Sequence, residues 1–406
     1  MKKIIIIGGG AAGLIAAYSA AKNFNQVILL EKNEKLGKKI YITGKGRCNV
    51  TTSVSNNDFF NGVISNPKFL YSSINSFSSK DLINLLNENG LKTKEERGNR
   101  IFPESDKASD VTKTIEKLLL KLGVDIRLNT KVLDIIVSNG VVKGVKTDLG
   151  EIYSDSVIIC TGGASYPLTG STGDGYTFAK SVKHTVIDLK PALVGIELKG
   201  HDFCNLQGVS LKNVTLTVKS GEKTIFSEFG EMLFTHFGVS GPIVLSCSSY
   251  INRKDLNNLT FYIDLKPALN NETISNRLIR EFKENNTKIL SSVMRSLLPK
   301  ALIEVVLLQA RVSGNKNCSE ITVEERTRLI QSLKGLKFQP KKLRPIEEAI
   351  ITSGGVCVKE INPKTMESKL IKGLFFAGEL LDVDAVTGGY NLQIAFSTGY
   401  IAGKNA

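Results

Sequence analysis

Gly8, Gly10 and Gly13 stand at G-x-G-x-x-G spacing directly after the isoleucine run at residues 4–7. Where a strand turns into a helix, the first such glycine allows a tight turn and the second lets backbone amides approach a pyrophosphate. The third lets the helix pack closely on the strand. The helix that must follow, from about Ala11 to Lys22, would direct its partly positive N-terminus at those phosphates. Glu31 supports the same chemistry: it ends the apolar stretch QVILLE, eighteen residues beyond Gly13. A carboxylate there accepts hydrogen bonds from ribose hydroxyls and repels a 2′-phosphate, so FAD and NAD fit this pattern and NADP does not. The basic, apolar start also has the outline of a secretion signal, but four isoleucines followed by three glycines are too short for one.

Glycine turns recur further along. The apolar stretch SDSVIICTGGAS ends in Thr161, Gly162 and Gly163, and residues 374–377 run into Gly378 and Glu379 with Asp382 just beyond. Gly388 and Gly389 then start a helix rich in small residues. Glycine turns near both ends of the chain suit a long cofactor, one gripping the pyrophosphate and adenosine and the other reaching a flavin. A helix N-terminus aimed at the flavin N1 and C2 carbonyl stabilises the negative charge of the reduced ring, an arrangement a nicotinamide does not need. FAD is therefore the expected main cofactor.

These residues need a scaffold, and the chain reads as α/β from Glu31 to about Asp188. In VTKTIEKLLLKLG the helical period places Val111, Ile115, Leu118, Leu119 and Leu122 on one face. VLDIIVSNGVVKGVKT reads as a hairpin turning at Asn139-Gly140. From about residue 189 to 265, alternating segments such as LKNVTLTVKSGEKTIF and NLTFYIDL predict antiparallel strands and a small barrel. Helices are expected at about 271–333, one of them opened by a capping box of Thr322 and Glu325. The expected organisation is a first part of a nucleotide domain at 1–188, a β-barrel insert at 189–265, a helical insert at 266–345, and the second part of the nucleotide domain at 346–406.

At 406 residues the chain exceeds a usual single core. No apolar run approaches the ~20 residues of a membrane helix, so no membrane is expected as a partner. Six cysteines with no C-x-x-C pair argue against a zinc site or a disulfide framework, and a reducing cytoplasm is the expected location. The formal net charge is +14. Residues 266–345 hold sixteen Lys/Arg against seven Glu and no Asp, a net +9. With no RNA-binding motif and few aromatics for base stacking, that charge reads as solvated helix faces or attraction of an anionic substrate, and nucleic acid is not the expected partner.

The stretches LGKKIYITGKGRCNVT, GGASYPLTGSTGDGY, KPALVGIEL, FTHFGVSGPIVLS and AGELLDVDAVTGGYNLQIAFSTGYIAG together resemble the bacterial BaiN-like flavoproteins, also called aminoacetone oxidase family FAD-binding enzymes. The resemblance covers nearly the whole chain. It implies a glutathione-reductase-like FAD-binding Rossmann domain interrupted by a β-barrel insert and a small helical insert. It puts Gly8, Gly10, Ala11, Ala12, Gly13, Glu31 and Lys32 on the adenosine and pyrophosphate half of FAD, with Val132 reaching the adenine. Lys38, Lys39, Thr43, Gly44, Arg47, Cys48 and Asn49 would line the loop beside the flavin. Thr161, Gly162, Gly163, Gly378, Glu379, Asp382, Gly389, Tyr390, Asn391 and Leu392 would complete the site. The chain departs from the family pattern at Thr52, Lys183 and Gly195.

Several of these residues have two readings. Arg47 could hold cofactor or substrate oxygens bidentately or make an ion pair within its loop. Cys48, without a cysteine partner nearby, reads as a packed small residue. His236 is the proton-transfer candidate among three histidines, against a structural role at a domain junction. GSTGDG, residues 170–175, reads as a flexible wall of the active site. The resemblance implies an FAD-dependent oxidoreductase acting on a small organic substrate, with NAD(P)H as a transient electron donor. The favoured reaction is reduction of a conjugated carbon–carbon double bond, as in 3-oxo bile-acid intermediates. The alternatives are an amine oxidase producing hydrogen peroxide and an RNA-associated flavoprotein.

Overall fold

The isoleucine run has no polar face, which is what a strand covered on both sides by helices requires. In the computed structural model, which describes residues 1–200 and 203–406, Lys3–Ile7 is the central strand of a five-stranded parallel sheet. Its order is Leu374–Phe376, Ser156–Ile159, Lys3–Ile7, Gln26–Leu30, Asp125–Arg127. Strands from the beginning, middle and end of the chain thus lie side by side, in register Ile5 to Val157 and Val157 to Leu374.

The chain divides into two compact units, Met1–Pro191 with Ile346–Ala406, and Ala192–Pro345. In the first, the helix Ala11–Lys22 follows the central strand, and a long helix, Tyr390–Asn405, packs on it. The contact is backbone to backbone. A β-carbon on Gly399 would lie 2.2 Å from the Ala12 carbonyl oxygen, and one on Gly403 would lie 2.1 Å from that of Ala16. The glycines are one helical turn apart on one face and so are the alanines they meet, which is how small residues bring helices together.

The three-stranded meander Val132–Ser138, Val141–Thr147, Gly150–Tyr153 turns at Asn139 and Gly140, both at positive φ (51° and 72°), the conformation of a type I′ hairpin. The helix Ala108–Lys121 buries Val111, Ile115 and Leu119. Leu122 is its C-cap and is exposed, because the helix ends one residue before the apolar period does.

In the second unit a seven-stranded antiparallel sheet runs Leu336–Phe338, Leu259–Asp264, Ser210–Ser220, Lys223–Thr235, Gly238–Ser240, Ile196–Leu198, Pro340–Leu343. Its two edge strands are consecutive in sequence, separated only by Gln339, so both edges meet in one stretch of chain and the sheet closes on itself. The closing strands lie beyond the helices, in the part of the sequence read as helical. Pro340, which has no N–H to donate, marks the change of partner. The helices Asn271–Glu284, Lys300–Ala310 and Val323–Lys334 share one apolar core with this sheet. The last opens with the Thr322–Glu325 capping box.

His184 is buried in the first unit, with Nδ1 3.1 Å from Glu360 Oε2 and Nε2 2.7 Å from Ser368 Oγ. The serine hydroxyl also accepts the N–H groups of Leu370 and Ile371, so the group is a structural clamp between segments. Burial pulls the imidazole pKa down, against the opposing pull of Glu360. The unfolded chain therefore takes up the proton first as pH falls below about 6.5, and this contribution to stability is present above that pH and lost on acidification. The melting temperature should fall between pH 7.5 and 5.5, and a His184→Gln variant, although less stable overall, should show a shallower fall. An unchanged slope would remove His184 from the account.

Candidate functional site

The first glycine turn has the geometry its spacing predicts. Gly8 has φ +100°, and a β-carbon there would meet the Cys160 carbonyl oxygen at 2.6 Å. On Gly13 it would lie 1.8 Å from the Gly8 carbonyl oxygen. Gly10 differs: its backbone is extended (φ −82°, ψ −169°), and a β-carbon would meet nothing within 4 Å. The space over Gly10 lies at the N-terminus of the Ala11–Lys22 helix, which has no side-chain cap and no acidic residue in its first turn. Its first amides, among them those of Ala11 and Ala12, are thus available to an anion.

Glu31 is buried just past its strand. Oε2 accepts the Gly9 N–H at 2.7 Å, and Oε1 accepts the Asn33 backbone N–H at 2.8 Å and its side-chain amide at 2.7 Å. A carboxylate has about four acceptor positions, which leaves capacity for a ribose hydroxyl. The Glu31 carbonyl accepts the Thr130 N–H at 3.0 Å, bringing the segment that leads into Val132 alongside. Lys32 does not face the glycine turn. It bonds Thr172 at 2.5 Å and Asp174 at 2.6 Å, while Asn33 Nδ2 donates to the Thr169 carbonyl. These bonds tie the GSTGDG stretch to the end of the second strand, and Asp174 begins the helix Asp174–Ser181. The stretch read as a flexible wall is fastened by these bonds beside the Thr161–Gly163 turn, where a β-carbon on Gly162 would touch Ser171 Oγ at 2.9 Å.

Residues 44–48 include four at positive φ: Gly44, Lys45, Gly46 and Cys48. This turn delivers Asn49 to the second glycine turn. With its amide oriented so that every bond is satisfied, Asn49 accepts the Gly389 N–H at 3.0 Å and donates to the Thr51 and Ile101 carbonyls. Gly389 has φ +97°, and a β-carbon on it would lie 2.3 Å from the Thr51 carbonyl oxygen. It is the N-cap of the Tyr390–Asn405 helix, again without a side-chain cap. Asn391 fastens the preceding loop by accepting the Ala385 N–H and donating to the Ala385 and Val386 carbonyls. Asp382 is held by the Asn66 amide. Tyr390 packs on Phe59, and Leu392 is partly buried against the core.

Arg47 takes the second of its two readings. Its guanidinium bonds Asp106 through Nε (3.0 Å) and Nη2 (2.6 Å) and bonds Glu96 through both Nη atoms, stacked over the Phe102 ring. The two carboxylates, which sequence proximity does not reveal, hold it charged. Cys48 is buried, and burial pushes its thiol up to about 12, the inert packed residue expected. Thr43 bonds back to the Ile40 carbonyl. Lys38 pairs with Glu34 and donates to Asn33 Oδ1.

Lys39 and Glu379 meet, with Nζ 2.6 Å from Oε2. Ser165 accepts from Lys39 at 2.6 Å and donates to Glu379 Oε1, which also accepts the Thr352 N–H at 2.9 Å. The Gly378-Glu379 turn is therefore fixed by groups from three distant segments. Thr352 lies outside every quoted motif, and Ser165, although inside GGASYPLTGSTGDGY, carries no local signal of this role. Thr51 and Gln393, inside the quoted motifs, were missed for another reason: they are buried and polar, and only their mutual bond at 2.7 Å, with the Phe77 carbonyl and Ser397 as further partners, shows what they do. His236 lies in the second unit, in an exposed turn between strands, edge-on to Phe237 and with no hydrogen bond to orient its ring among the described residues.

Two uncapped helix N-termini in the first unit, open space over Gly10, and a buried carboxylate with acceptor capacity left fit an adenine dinucleotide. So does Thr161 Oγ1, which is buried without a partner at the end of a central strand. The HI0933-like protein Rossmann domain matches residues 2–405. The 3-dehydro-bile acid delta(4,6)-reductase of Clostridium scindens is 32% identical, over 100% of this chain and 99% of its own length. The ribosomal RNA dihydrouridine synthase of Haemophilus influenzae is also 32% identical, over 98% of this chain and 96% of its own. Among solved structures, a 3-ketosteroid-delta4-(5alpha)-dehydrogenase from Rhodococcus jostii shares the fold with a TM-score of 0.53 at 13% identity, covering 100% of this chain and 96% of that one.

Proposed function

Because the chain belongs to the HI0933-like Rossmann family, we propose that it is an FAD-dependent oxidoreductase that reduces a carbon–carbon double bond conjugated with a carbonyl. The observation that carries the reading is the cradle over Gly10 beside the uncapped Ala11–Lys22 helix. The Ala11 and Ala12 amides would hold the pyrophosphate, Glu31 a ribose hydroxyl, and Val132 the edge of the adenine. The Gly389–Leu392 helix start would face the flavin, with Lys39 and Glu379 keeping the adjoining turn rigid. When bound, FAD supplies two-electron transfer from N5 to carbon, with NADH or NADPH as the source of electrons. A protein or solvent acid supplies the proton that completes the reduction.

The two full-length relatives carry different names but one chemistry. A delta(4,6)-reductase of 3-dehydro bile acids and an enzyme that makes dihydrouridine both saturate a C=C conjugated with a carbonyl. For this chain, uridine in RNA is the substrate the charge distribution favours, because the net +9 over residues 266–345 suits a polyanion better than a singly charged steroid acid. This revises the expectation that nucleic acid is not a partner. A 3-oxo steroid-like substrate is the second reading, favoured by the equal identity to the bile-acid enzyme.

The test is anaerobic. The yellow holoprotein should be bleached by NADH or NADPH, and its colour should return on adding a ribosomal RNA transcript, with dihydrouridine found by mass spectrometry of the digest. Return of colour only with a 3-oxo-4,6-diene steroid would select the second reading. Bleaching by aminoacetone with peroxide formed in air would replace both.

A further inference from the structure

We propose that the cleft on the exposed face of the Asn271–Glu284 helix binds the sugar–phosphate backbone of RNA, an inference that rests on the RNA reading above. The helix has two opposed faces. Ile274, Leu278 and Phe282 are buried, while Thr273, Asn276, Arg277 and Arg280 recur at the spacing of the opposite face. With Leu269 these four line an open cleft of about 420 Å³, within the roughly 300–1,000 Å³ range of ligand clefts.

The charges of the cleft are poorly balanced from within. Arg280 is exposed and makes no hydrogen bond or ion pair among the described residues. Arg277 Nη2 donates to the Ser296 carbonyl at 3.2 Å, but its buried Nε has no hydrogen-bond partner and lies 3.7 Å from the nearest carboxylate, Glu281. Lys266 is half-buried beside Arg277, and both its burial and that neighbouring charge lower its pKa. Arg277 has Glu281 as its ion-pair partner, whereas Arg280 and Lys266 make no ion pair among the described residues and would be relieved by a bound anion. The Asn276 amide lines the cleft beside the charges as a partner for a phosphate oxygen or a 2′-hydroxyl, while the Thr273 hydroxyl donates to Asn270 Oδ1 at 2.8 Å and is left as an acceptor. No aromatic side chain lines the cleft, so it would take the backbone without stacking a base, and binding would be strongly salt-dependent and largely blind to sequence.

The FAD-loaded full-length protein and its Arg280→Glu and Arg277→Gln/Arg280→Gln variants would be titrated with a fluorescein-labelled, uridine-containing single-stranded RNA by anisotropy over a range of KCl, with circular dichroism to confirm folding. Arg280→Glu keeps the test decisive if the double variant fails to fold, because Arg280 supports no other group. Each lost phosphate contact should weaken binding about tenfold at fixed salt. The double variant should reduce the slope of log K against log[KCl] by about 1.4. Reduction by NADH and NADPH should be unchanged. Wild-type RNA affinity and slope in folded variants would overturn the cleft assignment and leave the RNA-substrate reading standing. Absence of salt-dependent RNA binding by the wild type would overturn both. Loss of NADPH saturation in the variants with RNA binding intact would assign the cleft to the phosphates of the electron donor, and selective loss of binding to anionic vesicles would assign it to a lipid surface; either result overturns the proposal.

Discussion

Replacing Gly399 and Gly403 together with alanine should leave a protein that melts many degrees lower and purifies with little or no flavin. Each added methyl would lie about 2 Å from a carbonyl oxygen of the Ala11–Lys22 helix, at 2.2 Å from Ala12 and 2.1 Å from Ala16. Even a weak C–H···O contact needs about 3.3 Å. Both obstacles are helix backbone and cannot rotate away, so the helices must separate. Overpacking of this kind costs about 1–3 kcal/mol per site, and a unit of this size loses roughly 2–4 °C per kcal/mol, so a fall of about 5–20 °C is expected. The separation also moves both helix N-termini, at Gly10 and Gly389, that are proposed to serve the two ends of one cofactor. Thermal melting and the flavin-to-protein absorbance ratio are the measurements. A double variant with wild-type melting and full flavin content would show that the close approach is dispensable.

Gly10→Ala should do the reverse, sparing the fold and removing the ligand. The backbone at Gly10 is open to any L-residue, and its β-carbon would enter empty space. The stiffened unfolded chain, worth about 0.4–1 kcal/mol, offsets the slightly poorer N-cap. The melting temperature of the apoprotein should stay within a few degrees of wild type. FAD affinity, however, should fall by about 10²–10⁴-fold, because a methyl group keeps the phosphates from two backbone amides whose charge-assisted bonds are each worth roughly 1.5–3 kcal/mol. Fluorescence titration of apoprotein with FAD measures the loss. Gly13→Ala is the contrasting control, since its methyl would strike the Gly8 carbonyl oxygen at 1.8 Å and should destabilise the apoprotein itself. Normal FAD affinity in Gly10→Ala would mean that the phosphates lie elsewhere.

The legible parts of this molecule were those in which a short segment decides its own conformation. The strand, glycine turn and helix at residues 3–22, the strand ending at Glu31, the Asn139-Gly140 hairpin and the Thr322–Glu325 cap all stand where their spacing predicts. The parts that were not legible involve a choice among remote partners. Arg47 could have met a ligand or a carboxylate, and the fold brought it Glu96 and Asp106. Glu379 is held by Lys39, Ser165 and Thr352, of which only Lys39 was singled out. The closing strands of the barrel come from beyond three helices, where period-2 patterning over three or four residues is too short to stand out.

By itself, then, the sequence determined that this chain builds a strand–glycine–helix unit with a buried acid just past the second strand and a second glycine turn near its far end. Positive φ, close backbone approach and helix capping are constraints that one or a few neighbouring residues satisfy alone. Only the tertiary structure decided that the second turn lies against the Thr51 carbonyl, that Gly399 and Gly403 meet Ala12 and Ala16, and which charges are paired inside the protein and which, like Arg280, carry no ion pair among the described residues. Pairing and packing depend on where the whole path of the chain brings each group, and no local spacing encodes that path.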